Sequence, residues 1–107
     1  MSDHSVGRLE DLPNKAGVRV DIDEERIAVF RVDDAVYAIG DRCSHAEASL
    51  AEGELFDTDV ECPRHGAEFD ITTGKQNSLP ATKPVPTYAA DIRDGEVFIT
   101  ITSEATT

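Results

Sequence analysis

The chain has 107 residues, 22 acidic against 10 basic side chains, a formal net charge of −12, two cysteines and three histidines. This length fits one domain of the usual ~100–150 residues, and the negative charge disfavours nucleic acid and anionic membrane surfaces as partners. No apolar run approaches the ~20 residues that cross a bilayer, and the start of the chain lacks the blocks of a signal peptide, so we expect a soluble cytoplasmic protein.

Alternation of apolar and polar residues predicts strands in the first forty positions. Residues 18–22 alternate as a half-buried strand does, and residues 27–32 and 35–39 are joined by Asp33-Asp34, a pattern typical of a β-hairpin. Before them, His4 is expected to be a plain surface residue in a mobile N-terminal tail.

The sequence pattern changes between residues 41 and 86. Apolar runs are short there, and turn formers recur: Gly53, Gly66, Gly74, Pro63, Pro80, Pro84 and Pro86. Residues 46–51 could form a single helical turn. About 45 residues of such chain do not easily build a core of their own, so another group should hold them. After this segment, residues 90–93, Asp94-Gly95 and residues 96–101 predict a second hairpin.

Both cysteines and two of the histidines lie in the loop-rich segment, as Cys43-Ser44-His45 and Cys62-Pro63-Arg64-His65. Each half pairs one thiolate with one imidazole, at spacings that suit a single metal centre. Zinc fingers usually group their cysteines and their histidines separately. A two-iron, two-sulfide cluster explains the mixed order, because each half can send its cysteine to one iron and its histidine to the other. Structural zinc remains an alternative.

These two halves resemble the Rieske [2Fe–2S] motif, and Phe69-Asp70 and Thr73-Gly74 match its usual continuation. The length and strand order are similar to those of a Rieske-type ferredoxin over essentially the whole chain. The resemblance implies an all-β fold, an antiparallel β-sandwich with an inserted, loop-rich cluster-binding subdomain. It implies one domain, 1–107, with base strands over about 5–40 and 87–102 and the subdomain over about 41–86.

The resemblance also implies a function and a ligand set. Cys43 and Cys62 would hold the inner iron, and His45 and His65 the outer iron of a Rieske-type [2Fe–2S] cluster. The protein would be a one-electron carrier rather than an enzyme, receiving an electron from a reductase and passing it to a terminal oxygenase, with no catalytic residues of its own. We expect it to be a monomer.

Residues missing from the sequence narrow the subtype. With both cysteines used as ligands, no disulfide of the kind found in high-potential Rieske proteins can form. The side chains of Ala67 and Phe69 offer no hydrogen-bond donor to the cluster sulfurs, which predicts a potential in the lower part of the window of about −150 to +300 mV. Only His4 would remain for a mononuclear iron site, so the chain is not itself a Rieske oxygenase.

Three alternatives remain open on the sequence alone. The chain could be a small Rieske subunit or accessory of another redox system, such as nitrite reductase or iron–sulfur assembly. It could be a zinc-stabilised interaction module, and a cysteine–histidine thiol nucleophile is a weaker third reading. Residues 41–70 carry a net charge of −7, which indicates either a surface that steers basic partners or a plain solvated face.

Overall fold

The computed structural model describes residues 2–22, 25–41, 49–63, 68–75 and 85–101. Short 3-10 helices span Leu9–Asp11 and Leu50–Glu52. The described residues form these strands: β1 Ser2–Arg8, β2 Ala16–Ile22, β3 Glu25–Val32, β4 Ala35–Gly40, β5 Glu54–Phe56, β6 Asp59–Glu61, β7 Glu68–Asp70, β8 Thr87–Arg93 and β9 Glu96–Ile101. No helix in these ranges is long and apolar enough to span a bilayer.

The strands form two antiparallel sheets. Six strands follow the order β1-β9-β8-β4-β3-β2, and three follow the order β5-β6-β7. The larger sheet curls, and the smaller one is inserted in the chain between β4 and β8. The all-β, Rieske-type antiparallel architecture expected from the sequence is confirmed.

Both predicted hairpins are present. Val32 lies opposite Ala35 across the Asp33-Asp34 turn, and Asp33 has a φ of 56°, a conformation that aspartate tolerates better than most residues. Arg93 lies opposite Glu96 across Asp94-Gly95. Both of these turn residues have positive φ, 52° and 79°, as the twist of a two-residue hairpin favours.

The N-terminal segment differs from its prediction as a mobile tail. Residues 2–8 form β1, which pairs with β9 and places His4 opposite Ile99. The segment is polar and shows no apolar alternation, so the sequence gives little sign of a strand. Pairing with β9 supplies the backbone hydrogen bonds, and Asp3 adds two contacts by accepting from Arg93 Nη2 at 3.0 Å and Thr100 Oγ1 at 2.8 Å. The Thr100 bond first, and then the Arg93 bond, lower the pKa of Asp3.

Strand β3 separates two apolar clusters because its side chains alternate between faces. On one face, Ile27 and Val29 join the base core, which comprises Leu12, Ile22, Ile27, Val29, Ala38, Val97 and Ile99. On the other face, Ala28 and Phe30 join the inter-sheet core, which lies between the two sheets and comprises Ala28, Phe30, Ile39, Leu50, Ala51, Val60, Cys62, Phe69, Ile71 and Val85. The inserted segment therefore packs on the base through the inter-sheet core.

Candidate metal centre

Cys62 is the predicted ligand that the structure describes. It follows β6 directly, its residue is 1% exposed, and it belongs to the inter-sheet core with Val60 and Phe69. Residues two apart on a strand share a face, so Val60 places Cys62 on the inward side. Cys62 is a free thiol in the structure. Cys43, His45 and His65 lie outside the described residues.

The segments that carry the other predicted ligands begin and end at described positions. Residues 64–67, which include His65, join Pro63 to Glu68 in the connection between β6 and β7. Glu61 and Glu68 lie opposite each other, so this connection starts and ends at one end of the small sheet. Residues 42–48, which include Cys43 and His45, join Asp41 to Ser49.

Asp41 fastens the two ends of the 42–48 segment together. Its residue is fully buried, and its carboxylate Oδ1 accepts from Ser49 Oγ at 2.8 Å and from the Ala51 amide at 2.9 Å. Its carbonyl oxygen accepts from the Leu50 amide at 2.7 Å. Leu50 and Ala51 pack in the same inter-sheet core as Cys62. Asp41 was not among the site residues predicted from the sequence, in which it is one charged residue between an apolar strand and Cys43.

A third segment, residues 76–84, is also fastened at its ends. The Val85 amide donates to the Gly74 carbonyl at 2.8 Å, and the Gly40 amide donates to the Pro86 carbonyl at 2.8 Å. Gly40 and Asp41 are adjacent in sequence, so the end of β4 anchors both the 42–48 segment and the return of the 76–84 segment. Of the turn-forming prolines at this end of the segment, Pro80 and Pro84 lie outside the described residues and Pro86 lies within them.

The outer face of the three-stranded sheet is acidic. The central row of this sheet, Leu55-Val60-Phe69, packs against the inter-sheet core, so the rows on either side face outward. These outward rows contain Glu54, Glu61 and Glu68 on one side and Phe56, Asp59 and Asp70 on the other. Like charges directly opposite each other, such as Glu54 and Glu61, lower the stability of a sheet.

The donor chemistry fits a [2Fe–2S] centre. Cys62 offers a buried sulfur without a disulfide, the 42–48 segment carries one further cysteine and one histidine, and the 64–67 segment carries the other histidine. Two thiolates and two imidazoles are the ligands of a Rieske centre. Within the described residues no group of three metal-binding side chains is found, since three of the four predicted ligands lie outside them. Phe69 is fully buried.

Known proteins match this chain along almost its whole length. The Rieske [2Fe-2S] domain family matches residues 2–89. A 3-phenylpropionate/cinnamic acid dioxygenase ferredoxin subunit of Photorhabdus laumondii is 43% identical over 105 residues, 97% of this chain and 99% of the relative.

Among solved structures, the ferredoxin of carbazole 1,9a-dioxygenase from Nocardioides aromaticivorans IC177 has a TM-score of 0.90 and 33% identity, covering 94% of this chain and 98% of its own. A complex of reduced oxygenase and oxidized ferredoxin in carbazole 1,9a-dioxygenase matches with a TM-score of 0.87 and 35% identity, over 92% of each chain.

The family resemblance seen in the two Cys/His halves is thus confirmed by sequence and by fold. The family match covers 2–89, and the similar ferredoxins are matched over nearly their full length. The chain belongs to the Rieske [2Fe–2S] family, and its cofactor is a Rieske-type [2Fe–2S] cluster.

Proposed function

We propose that this protein is the ferredoxin component of an oxygenase system, taking one electron from a reductase and passing it to the terminal oxygenase. The observation that carries the proposal is the match, over nearly the full length of both chains, to ferredoxin subunits of dioxygenases. One matched ferredoxin forms a complex with its oxygenase. The other readings left open by the sequence, a nitrite reductase or assembly subunit and a zinc module, are not favoured by these relatives.

We also propose that the ligand set is Cys43, His45, Cys62 and His65, with the thiolates on the inner iron and the imidazoles on the outer iron. Three observations support it. Cys62 is buried in the inter-sheet core, the 42–48 segment is fastened through Asp41 beside that core, and the 64–67 segment starts and ends beside Cys62.

In this arrangement the bound cluster supplies reversible one-electron chemistry. The protein contributes position and shielding. The inter-sheet core keeps water away from the Cys62 side, while Leu50 and Ala51 join the fastened segment to that core. The acidic outer sheet face contributes a negative field that attracts basic partner surfaces.

The domain boundaries and the location belong to the same proposal. We propose one domain, 1–107, in which strands from residues 2–40 and 87–101 form the base and residues 41–86 form the cluster-binding subdomain. The two described sheets support this division. We further propose a cytoplasmic location, supported by a cysteine count that the cluster ligands use up.

The decisive experiment is spectroscopy of the purified protein with iron and sulfide analysis. We expect two irons and two sulfides per chain, a red-brown colour, a Rieske electron-paramagnetic-resonance signal on reduction, and reoxidation of the reduced protein by a terminal oxygenase. Cys62→Ser should lose the iron and the signal, because it removes a thiolate ligand. A colourless protein with stoichiometric zinc would contradict the proposal.

His4→Asn is the matched control for the ligand set. It removes the remaining histidine, which lies in β1 opposite Ile99. The variant should keep the visible spectrum and the resonance signal, whereas His45→Asn and His65→Asn should each lose them. If His4→Asn lost the signal and either of the other two kept it, the ligand set would be wrong.

A further inference from the structure

Asp41 is the buried charged residue of the described chain, and it makes five hydrogen bonds. Its residue is 0% exposed. Besides the three bonds to Ser49, Leu50 and Ala51, its Oδ2 accepts from Arg26 Nη2 at 3.2 Å and its amide donates to the Arg26 carbonyl at 2.9 Å. We call the four residues Arg26, Asp41, Ser49 and Ala51 the Asp41 clamp. It connects β3 with both ends of the 42–48 segment.

The clamp replaces the ordinary cap of the Leu50–Glu52 3-10 helix. Ser49 occupies the N-cap position but makes no side-chain cap hydrogen bond. Its hydroxyl donates to Asp41 instead, while the Leu50 and Ala51 amides donate to the carbonyl and the carboxylate of Asp41. The first turn is therefore fixed to the end of β4 and not to its own cap. This holds together the residues on either side of the 42–48 segment.

The ion pair in the clamp is a poor device for stability alone. The side chains of Arg26 and Asp41 share one hydrogen bond of 3.2 Å, and the Arg26 side chain is 31% exposed while that of Asp41 is fully buried. Arg26 Nε is buried and has no hydrogen-bond partner in the structure described. Burying charges costs free energy that a single, non-bidentate contact does not return, and apolar residues often serve folding better.

We propose that Asp41 is a positioning residue for the Cys43–His45 ligand pair, and that its buried charge, balanced by Arg26, tunes the reduction potential of the cluster. The proposal rests on the ligand set given under the proposed function. Asp41 precedes Cys43 by two residues, which limits their Cα separation to about 7 Å. Groups behind metal ligands commonly set both the geometry and the potential of a centre.

The two members of the ion pair should act on the potential in opposite directions. Reduction adds one negative charge to the cluster. Asp41→Asn removes a negative charge beside it and should raise the potential, whereas Arg26→Gln removes a positive charge and should lower it. A role limited to fold stability does not predict opposite signs, so the sign separates the two explanations.

The test compares four holoprotein variants by redox titration and by the rate at which a chelator bleaches the visible spectrum. Asp41→Asn should raise the potential and lose the cluster about 10- to 100-fold faster than wild type. Arg26→Gln should lower the potential. Ser49→Ala removes a neutral partner, so it should speed cluster loss and leave the potential unchanged.

Asp91→Asn is the matched control, because Asp91 also pairs with an arginine, Arg93, at 2.9 Å, but on the exposed surface of β8. It should change neither measurement. Equal potentials in Asp41→Asn, Arg26→Gln and the control, or shifts of one sign in the first two, would overturn the proposal. If Asp41→Asn does not fold, Arg26→Gln and Ser49→Ala decide, and wild-type behaviour of both overturns it. A wild-type protein without a Rieske signal would instead overturn the ligand set itself.

Discussion

Tyr88 joins the two halves of the six-stranded sheet at their narrowest place. Strands β4 and β8 pair only through Ala38 with Tyr88 and Ile39 with Thr87 in the described register. The Tyr88 hydroxyl donates to Glu25 Oε1 at 2.6 Å, from β8 to the start of β3. Burial first, and then the Glu25 carboxylate, raise the pKa of the Tyr88 phenol well above its ordinary value.

Removing the Tyr88 hydroxyl should change the free energy of unfolding both near neutral pH and at alkaline pH. Tyr88→Phe should lower the free energy of unfolding by about 1–2 kcal/mol near pH 8, because the Glu25 carboxylate loses a donor. In wild type, the folded state keeps the phenol proton at a pH where the unfolded chain has lost it. The free energy of unfolding therefore falls as the pH rises above the ordinary value of 10.0. Urea denaturation of wild type and variant at several pH values measures both effects.

Tyr37→Phe is the control, since it removes the hydroxyl of the second tyrosine in the chain. It should keep the alkaline loss of stability that wild type shows, whereas Tyr88→Phe should reduce that loss. An equal alkaline loss in wild type and Tyr88→Phe would contradict the assignment of the raised pKa to the Tyr88–Glu25 pair.

At the scale of single residues, the sequence predicted features whose residues lie close together along the chain. The Cys/His spacing indicated the family, which the comparisons confirmed. Asp41 was not predicted from the sequence because its hydrogen-bond partners lie eight and ten residues later in the chain and, with Arg26, in another strand. A buried carboxylate of this kind has no local pattern, since each contact is made only when β3, β4 and the 3-10 helix are brought together.

Secondary-structure elements were also predicted where their signal lies in neighbouring residues, and missed where it does not. Both hairpins were predicted, because their two-residue turns and alternating strands are encoded within about a dozen neighbouring residues. Strands β5, β6 and β7 were missed within the segment interpreted as loop-rich, since each has only three residues and is too short to show a period. The predicted turn at 46–51 appears in its described part as the 3-10 helix Leu50–Glu52. Packing on the inter-sheet core, and not local propensity, defines these elements.

Gly74 lies at the end of the turn that follows β7. Gly74 has a φ of 76°, its amide donates to the Asp70 carbonyl at 2.7 Å, and its carbonyl accepts from Val85 at 2.8 Å. A Cβ at this position would lie 2.2 Å from the Val85 carbonyl oxygen. The ends of the 76–84 segment therefore meet at a place where no side chain fits.

Gly74→Ala should be far more destabilising than the same change at another positive-φ glycine. Gly95→Ala is the matched comparison, with a φ of 79° and a flexible arginine, Arg8, whose Nη2 would lie 2.8 Å from the Cβ. Both changes cost roughly 1–2 kcal/mol of left-handed strain. Gly74→Ala should cost about 1–3 kcal/mol more, because the backbone around Val85 must move. Equal midpoints of urea unfolding for the two variants would show that the close approach is unimportant.

At the scale of the whole molecule, the negative charge is large and is concentrated in one part of the chain. The net charge is −12, and residues 41–70 contribute −7 of it. Glu54 lies directly opposite Glu61 on the outer face of the small sheet, beside Phe56, which is 47% exposed. The sheet thus keeps a repulsive pair next to an exposed aromatic ring. Electron-transfer partners meet through small, transient interfaces in which steering matters more than buried area.

Removing this pair of carboxylates should raise the stability of the protein and slow its electron transfer. The double variant Glu54→Gln/Glu61→Gln should unfold at a slightly higher urea concentration, because a like-charge contact is lost. It should also be reduced or reoxidised several-fold more slowly by its partner at low salt, because the negative field on that face is weaker. Stopped-flow rates over a range of ionic strength measure this effect, and salt should slow wild type more than the variant.

Asp91→Asn/Asp94→Asn provides the control, since it changes the net charge by the same two units in β8 and the turn after it, outside the small sheet. If net charge alone steers the encounter, the two double variants will have the same rate and the same salt dependence. If the small sheet forms the docking face, only the Glu54/Glu61 variant will slow and lose salt sensitivity. Rates that do not respond to salt in wild type would show instead that the acidic face is a solvated surface with no part in docking.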